Sequence, residues 1–380
     1  MIPSLRNATA YPAEGIVYLD HAATGPLATP TVEAMTAYLL ERSRTSPNNF
    51  ETVLPRLEAG RAAIAQLIGT GAENVEYVPN TSYGINVLAR GLAWKAGDRV
   101  AVPESEFPAN LLPWLALEPL GVTVDRIPCT DGCFSLQDAE AALTPQTRVL
   151  AVSWVQFLSG FRAPLAELGA MCRARGVLLA VDGIQGVGAL EMRFDELGLD
   201  FLASGGQKWM LGPQGSAFVA VAPALQTQLE PMRGWLNGPV DWEDFGSTGL
   251  DVHPDATRFR VGTLATAPIL GLLASVEQFL DAGTAEVESS VLRASGRLGA
   301  ALDALGLSRW GASGEPRSGI VTYEHGAPDA LREHLLARGV WISVRDRKLR
   351  FAPHATTSDD DLDRTAEAVR DFARTSVPVA

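Results

Sequence analysis

Two ionisable residues in the middle of the chain have the types and the settings for covalent cofactor chemistry. Asp182 closes the apolar run Val177 to Val181, and Lys208 follows a second run, Asp200 to Ala203, across the glycine-bearing turn Ser204-Gly205-Gly206-Gln207. Parallel strands buried on both faces read as unbroken apolar runs. Open α/β sheets bind ligands outside the carboxyl ends of such strands, so an amine and a carboxylate at neighbouring strand ends would face one crevice. Pyridoxal 5'-phosphate (PLP) needs such a pair. A lysine amine forms a Schiff base with its aldehyde, and a carboxylate keeps the pyridine nitrogen protonated so that the ring withdraws electrons. Burial would lower the lysine pKa and leave the amine more nucleophilic. The same spacing, taken alone, also fits a turn-capping aspartate and a surface lysine.

Two more pieces have chemical uses. Asn80-Thr81-Ser82 follows the short run Val75 to Val78 and opens a helical pattern. Helix N-termini bind phosphate through free backbone N–H groups, and hydroxyls add donors, although these residue types also serve as plain N-caps. Arg350 leaves a strand-like run in Lys348-Leu349-Arg350-Phe351-Ala352-Pro353-His354. An arginine there can grip a carboxylate through two parallel N–H bonds, or it can simply be solvated.

Such residues need a frame that brings them together. Glu33 to Arg44 and Pro55 to Ile68 repeat apolar residues at helical spacing. The strand-like runs Val75 to Val78, Arg99 to Val102, Val122 to Ile127, Arg148 to Ser153, Val177 to Val181, Asp200 to Ala203 and Ala217 to Val221 follow. Helical stretches lie between them: one ending near Trp94, then Asn110 to Pro119, Ser135 to Leu143 and Leu165 to Arg175. This alternation predicts βαβ units and a large, mostly parallel sheet. The segment from about 225 to 262, with Trp235 and Trp242, reads as long loops.

Beyond it come helices over Ala265 to Leu280 and Val287 to Leu305, a strand over Ile320 to Tyr323 and a helix over Asp329 to Arg338. Strands over Val340 to Ser343 and Lys348 to Phe351 precede a last helix from Asp359, with Ser358 and Asp361 as its N-cap signature. The expected architecture is α/β. A large domain covers residues 16–262, a smaller C-terminal α/β domain covers 263–380, and residues 1–15 form an N-terminal extension.

Bulk properties narrow the partners. The 380 residues carry a formal charge of -13, which argues against nucleic acid and against anionic membrane surfaces. No apolar stretch reaches the length of a membrane span, and no signal-peptide pattern opens the chain. Three cysteines (Cys129, Cys133 and Cys172) make no disulfide framework, so the expected location is the cytoplasm. Five scattered histidines suggest no metal site, and Gly183, Gly186 and Gly188 lack the order of a nicotinamide-binding turn.

Read in order, the motifs resemble the class V aminotransferases, fold-type I PLP enzymes that include cysteine desulfurases, isopenicillin N epimerase-like proteins and kynureninase. The resemblance runs through Tyr18-Leu19-Asp20-His21-Ala22-Ala23-Thr24-Gly25-Pro26, Asn80-Thr81-Ser82 and Glu106-Phe107-Pro108-Ala109-Asn110. It continues through Ser159-Gly160-Phe161, Asp182-Gly183-Ile184-Gln185 and Gly206-Gln207-Lys208-Trp209-Met210-Leu211-Gly212-Pro213, and closes with Arg260-Val261-Gly262-Thr263 and Leu349 to His354.

The resemblance implies a PLP-dependent transferase fold with Lys208 as the Schiff-base lysine and Asp182 as the partner of the ring nitrogen. Gln185 would donate to the ring's phenolic oxygen, and Phe107 would stack on the ring. Thr81, Ser82 and Gln207 would hold the phosphate, joined by Thr263 from the partner subunit of a homodimer with shared active sites. Arg350, with Ala23 beside it, would bind the carboxylate of a small amino-acid substrate.

Departures from the family bear on the reaction. Desulfurases carry histidines at the positions of Gln207 and Phe107 and an asparagine at Phe157. Their sulfur-accepting cysteine lies just ahead of the substrate arginine, and residues 339–350 here hold none. Phe161-Arg162, Gly188-Ala189-Leu190 and Lys208-Trp209 look closest to the isopenicillin N epimerase-like branch. The leading expectation is therefore an aminotransferase or epimerase-like enzyme acting on an α-amino acid. Alternatives are a carbon–sulfur or β-lyase of the desulfurase kind, a catalytically silent PLP-fold binding protein, and a nucleotide-dependent α/β enzyme.

Overall fold

A computed structural model describes residues 1–9, 15–240, 249–311 and 318–375. A short first strand, β1 (Val17–Tyr18), precedes two long helices, Thr29–Arg44 and Phe50–Ile68. The next seven strands form one sheet: β2 (Val75–Val78), β3 (Arg99–Pro103), β4 (Thr123–Ile127), β5 (Thr147–Ser153), β6 (Leu178–Asp182), β7 (Phe201–Gly205) and β8 (Ala217–Val221). Their spatial order is β2-β8-β7-β6-β5-β3-β4. Every pairing is parallel except the two made by β8.

The exception has a local cause. Parallel neighbours need a crossover, usually a helix, and residues 206–216 between β7 and β8 fold as a turn with none. The chain therefore doubles straight back, and Lys208 sits in the bend. Each residue of β7 and β8 is buried, as the unbroken apolar runs require of strands covered on both faces. The helix Thr266–Ala282 covers this side by packing on Thr29–Arg44 and Phe50–Ile68.

The C-terminal part carries a second, antiparallel sheet built from β9 (Ser308–Trp310), β10 (Val321–Glu324), β12 (Ser343–Arg345) and β13 (Lys348–Phe351), in the order β12-β13-β10-β9. Strand β11 (Val340–Trp341) pairs instead with β1, in parallel. Asp20 then bridges to Ala352. The N-terminal segment is thereby stitched to the C-terminal strands, and it runs on to the Lys208 turn.

Several expectations are corrected. No single helix spans Asn110 to Pro119; short turns at Pro108–Asn110, Leu112–Leu115 and Glu118–Leu120 replace it. Pro113 and Pro119 each occupy a first-turn position, where the missing N–H costs no intrahelical hydrogen bond. The helix opening at Thr81 ends at Gly91 rather than near Trp94. The run Val340 to Ser343 splits at Ile342 into β11 and β12, which pair with different partners. The looped segment begins within the short helix Pro223–Gln226 and contains another, Ala256–Phe259, while Trp242 lies outside the described residues. Among the described residues, no helix is long and apolar enough to cross a membrane.

Candidate active site

The carboxyl ends of β5, β6 and β7 converge on one crevice. Asp182 ends β6 and is buried, with one carboxylate oxygen accepting from the Ile184 N–H at 3.0 Å. Burial raises its pKa to about 6, against the pull of the Ile184 hydrogen bond and of the Lys208 charge. The lysine responds in the opposite sense. Burial lowers the Lys208 amine to about 8; Arg350 and Arg345 push the same way, and Asp182 and Asp20 oppose. The two residues paired from sequence thus share one electrostatic environment.

The Lys208 turn is held from below. Gly25 donates its N–H to Gln207 O at 2.8 Å, and a Cβ built at Gly25 would lie 2.1 Å from Lys208 O. Only glycine permits that approach. Trp209 donates its indole N–H to Gln185 Oε1 at 2.8 Å, and Gln185 Nε2 donates to Ala22 O at 2.9 Å. His354 donates from Nε2 to Trp209 O at 3.0 Å and stacks on His21 with ring centroids 4.7 Å apart. Burial drives both imidazoles toward the neutral form, His354 to about 4. Leu211, at φ +54°, takes the left-handed conformation that non-glycine residues seldom adopt. Such strain at the end of the turn persists only where surrounding contacts hold it.

PLP can be tested against these residues. Thr81 opens the helix Thr81–Gly91 behind its cap Asn80, whose side chain accepts from Tyr83 N at 2.8 Å. The Thr81 hydroxyl is buried without a hydrogen-bond partner among the described residues. A Cβ at Gly205 would meet Gln207 Oε1 at 2.4 Å and Thr81 Oγ1 at 3.2 Å, so these two side chains flank a bare backbone position. An orphaned hydroxyl at a helix N-terminus is a fitting donor for a phosphate oxygen. Ser82 is exposed, with its carbonyl taken by Asn86. The Phe107 ring centroid lies 5.9 Å from the Lys208 amine and 5.2 Å, edge-on, from that of Phe157. Gln185 spends one N–H on Ala22 and keeps its second. The residues present fit PLP.

Arg350, on β13, is buried and enters the same crevice. Its Nη1 donates to Phe157 O at 2.8 Å, and its Nη2 donates to Ser343 Oγ at 3.0 Å and to Asp20 Oδ1 at 3.3 Å. Ala23 sits half-buried in the turn that follows Asp20. Thr263 is not brought to this crevice by its own chain. It is exposed and lines a separate cleft with Tyr83, Gly215 and Arg260.

Three residues of the site had no role read from sequence. Asp20 and Ser343 hold Arg350. Glu106, just ahead of Phe107, accepts from Ser153 N and Ser153 Oγ at 2.5 Å each, tying the Phe107 loop to the end of β5. Asp20 and Glu106 stand inside motifs quoted above, but a carboxylate in a motif does not name its partner.

Comparison with known proteins now adds the family. The aminotransferase class-V model matches residues 17–345, and the chain belongs to that family. Its cofactor is pyridoxal phosphate. A probable cysteine desulfurase of Methanothermobacter thermautotrophicus is 31% identical over 294 residues, spanning 76% of this chain and 73% of that protein. One from Pseudomonas aeruginosa is 31% identical over 331 residues, spanning 83% and 79%. A solved complex of the cystine C-S lyase C-DES with cysteine persulfide superposes with TM-score 0.87 at 24% identity, covering 98% of this chain and all of that one, a likeness of fold. The leading expectation of an aminotransferase or isopenicillin N epimerase-like enzyme is not supported by these relatives. Their desulfurase names weigh toward the lyase alternative instead.

Proposed function

We propose that the chain is a PLP-dependent carbon–sulfur lyase, which breaks the Cβ–S bond of cysteine or an S-substituted cysteine and releases the sulfur into solution. The relatives named cysteine desulfurase support the bond. The observation that carries the fate of the sulfur is the turn ahead of Arg350. Strands β12 and β13 are joined by only Asp346 and Arg347, both at positive φ (46° and 58°), with Arg345 paired to Lys348. This is the tight two-residue hairpin, which leaves no loop to reach into a site. Without a loop and without a cysteine in residues 339–350, nothing there can take sulfur from a substrate.

Bound PLP supplies an electron-accepting ring that stabilises negative charge developing at the substrate Cα. The chain's own residues do the rest. Arg350 binds the α-carboxylate and so sets which Cα bond faces the reacting plane. Asp182 keeps the proton on the ring nitrogen, a task its buried setting strengthens because water cannot compete. The Lys208 amine, lowered to about 8, is partly unprotonated near neutral pH and takes up the Cα proton. The sulfur leaves from Cβ with the electron pair of the broken bond and is protonated to a thiol. Hydrolysis of the remainder, consuming one water, gives pyruvate and ammonia. Phe107 and Phe157 shield the crevice mouth. The proposal includes a homodimer, in which the exposed Thr263 of one subunit reaches the phosphate held by the other.

The experiment is product identification with the PLP-loaded enzyme and S-ethylcysteine. Ethanethiol and pyruvate in equal amounts support the lyase. Alanine would mark a desulfurase, a sulfur-bearing keto acid a transaminase, and inverted substrate an epimerase; any of these as main product overturns the proposal.

A further inference from the structure

Arg350 is not free to receive a substrate carboxylate as it stands. A guanidinium offers a carboxylate two planar forks, one formed by both Nη atoms and one by Nε with Nη2. Both forks run through Nη2, which here donates to Asp20 and Ser343. Nη1 gives a hydrogen to Phe157 O, and Nε is buried with no hydrogen-bond partner among the described residues. Two-pronged binding therefore requires one Nη2 contact to open.

The two contacts differ in how easily they yield. The Asp20 contact, at 3.3 Å, is long for a charge-assisted bond, which normally closes to about 2.8 Å. Asp20 also has a second, shorter hold, since Ser343 Oγ donates to the same Oδ1 at 2.6 Å. Backbone pairing fixes Asp20 against Ala352 and Ser343 against Arg350. The carboxylate can thus lose the arginine and keep the serine with no strand movement.

We propose that Asp20 is a displaceable latch on Arg350, a built-in carboxylate that holds the guanidinium until a substrate carboxylate takes the Nη2 donor, and that it thereby sets the affinity for amino acids. This rests on the reading that Arg350 binds the α-carboxylate. Asp20 acts through Arg350 and is a positioning residue. Its charge partly cancels that of Arg350 and so weakens the attraction for any anionic ligand. It also spares the resting site an unpaired buried cation, which is costly.

The test uses the PLP-loaded enzyme and propionate, a carboxylate with no amine, followed by the change it causes in cofactor absorbance. Asp20→Asn keeps an acceptor for Ser343 and removes the competing charge. Its dissociation constant for propionate should fall about tenfold, the size of one charge-assisted hydrogen bond. The KM for S-ethylcysteine should fall with it, and by a larger factor than any change in kcat. An unchanged or raised constant overturns the latch and makes Asp20 a support for Arg350. Arg350→Ala separates the two readings: if it binds propionate as the parent does, the assignment of Arg350 itself is wrong, whatever Asp20 does. Should Asp20→Asn fail to fold, a crystal structure of the parent with propionate decides. The latch requires Asp20 beyond hydrogen-bond reach of Nη2 and still on Ser343; an intact Asp20–Arg350 contact beside bound propionate refutes it.

Discussion

Replacing Lys208 with methionine should stabilise the cofactor-free protein, and only at pH values where the lysine would carry a charge it cannot comfortably hold. The amine is lowered to about 8 in the fold, first by burial and then by Arg350. In the unfolded chain it titrates at about 10.4. Below pH 8 the folded protein must hold a proton where it is poorly solvated, and the penalty is complete. Between pH 8 and about 10.4 the penalty fades, because the folded amine is already neutral while the unfolded one still gains by protonation. Above that range it is gone. One pKa unit is worth about 1.4 kcal/mol, so the full penalty is about 3 kcal/mol. Lys208→Met keeps an unbranched chain of similar reach without the charge. Urea denaturation of the two cofactor-free proteins should show the variant more stable by up to about 3 kcal/mol at pH 7, the gap closing by pH 10.5. A gap that does not change with pH, or a parent as stable as the variant at pH 7, would refute the claim that burial depresses this amine.

Other outcomes can be checked alongside. Thr81→Val should weaken PLP binding about fivefold or more, while the cofactor-free protein melts no lower, since the hydroxyl has no protein partner to lose; equilibrium dialysis and calorimetry read the two effects. Arg350→Ala should raise the KM for S-ethylcysteine by roughly 10- to 100-fold through loss of a charge-assisted carboxylate contact. Arg260→Ala should cost about 3 kcal/mol in denaturant unfolding at pH 8. Arg260 donates to both oxygens of the fully buried Glu76 (3.1 and 2.8 Å), and its removal takes away the carboxylate's two charge-assisted hydrogen bonds. The penalty should grow as pH rises above 7 and be least below it, because burial raises Glu76 to about 7 even with Arg260 beside it, and a protonated acid needs no cation.

Much of the large sheet was legible because its strands are buried on both faces. Val75–Val78 and Ala217–Val221 have the bounds that their apolar runs suggest, and Leu178–Asp182 is displaced by one residue. Proline placement was harder to weigh: Pro113 and Pro119 break what helical spacing alone joins. Asp182 and Lys208 were readable as a pair because each follows a buried strand. The latch on Arg350 was not, because Asp20 reaches it only through a pairing made across almost the whole chain, and Ser343 only through the hairpin that sets it opposite Arg350. The absence of a cysteine ahead of Arg350 was visible in the sequence. Its weight depends on the two-residue turn at Asp346–Arg347, which only the backbone reveals. With an extended loop there, sulfur transfer to the protein would merely have lost its nucleophile. With a hairpin, the approach itself is missing.

The central claim is that sulfur leaves the substrate without passing through the protein. Intact-mass measurement of the PLP-loaded enzyme during turnover with cysteine, with sulfide and pyruvate assayed in the same samples, tests it most directly. The account predicts sulfide and pyruvate in equal amounts and no sulfur added to Cys129, Cys133 or Cys172. A protein mass raised by one sulfur that disappears on adding a thiol, with alanine as the carbon product, would contradict it.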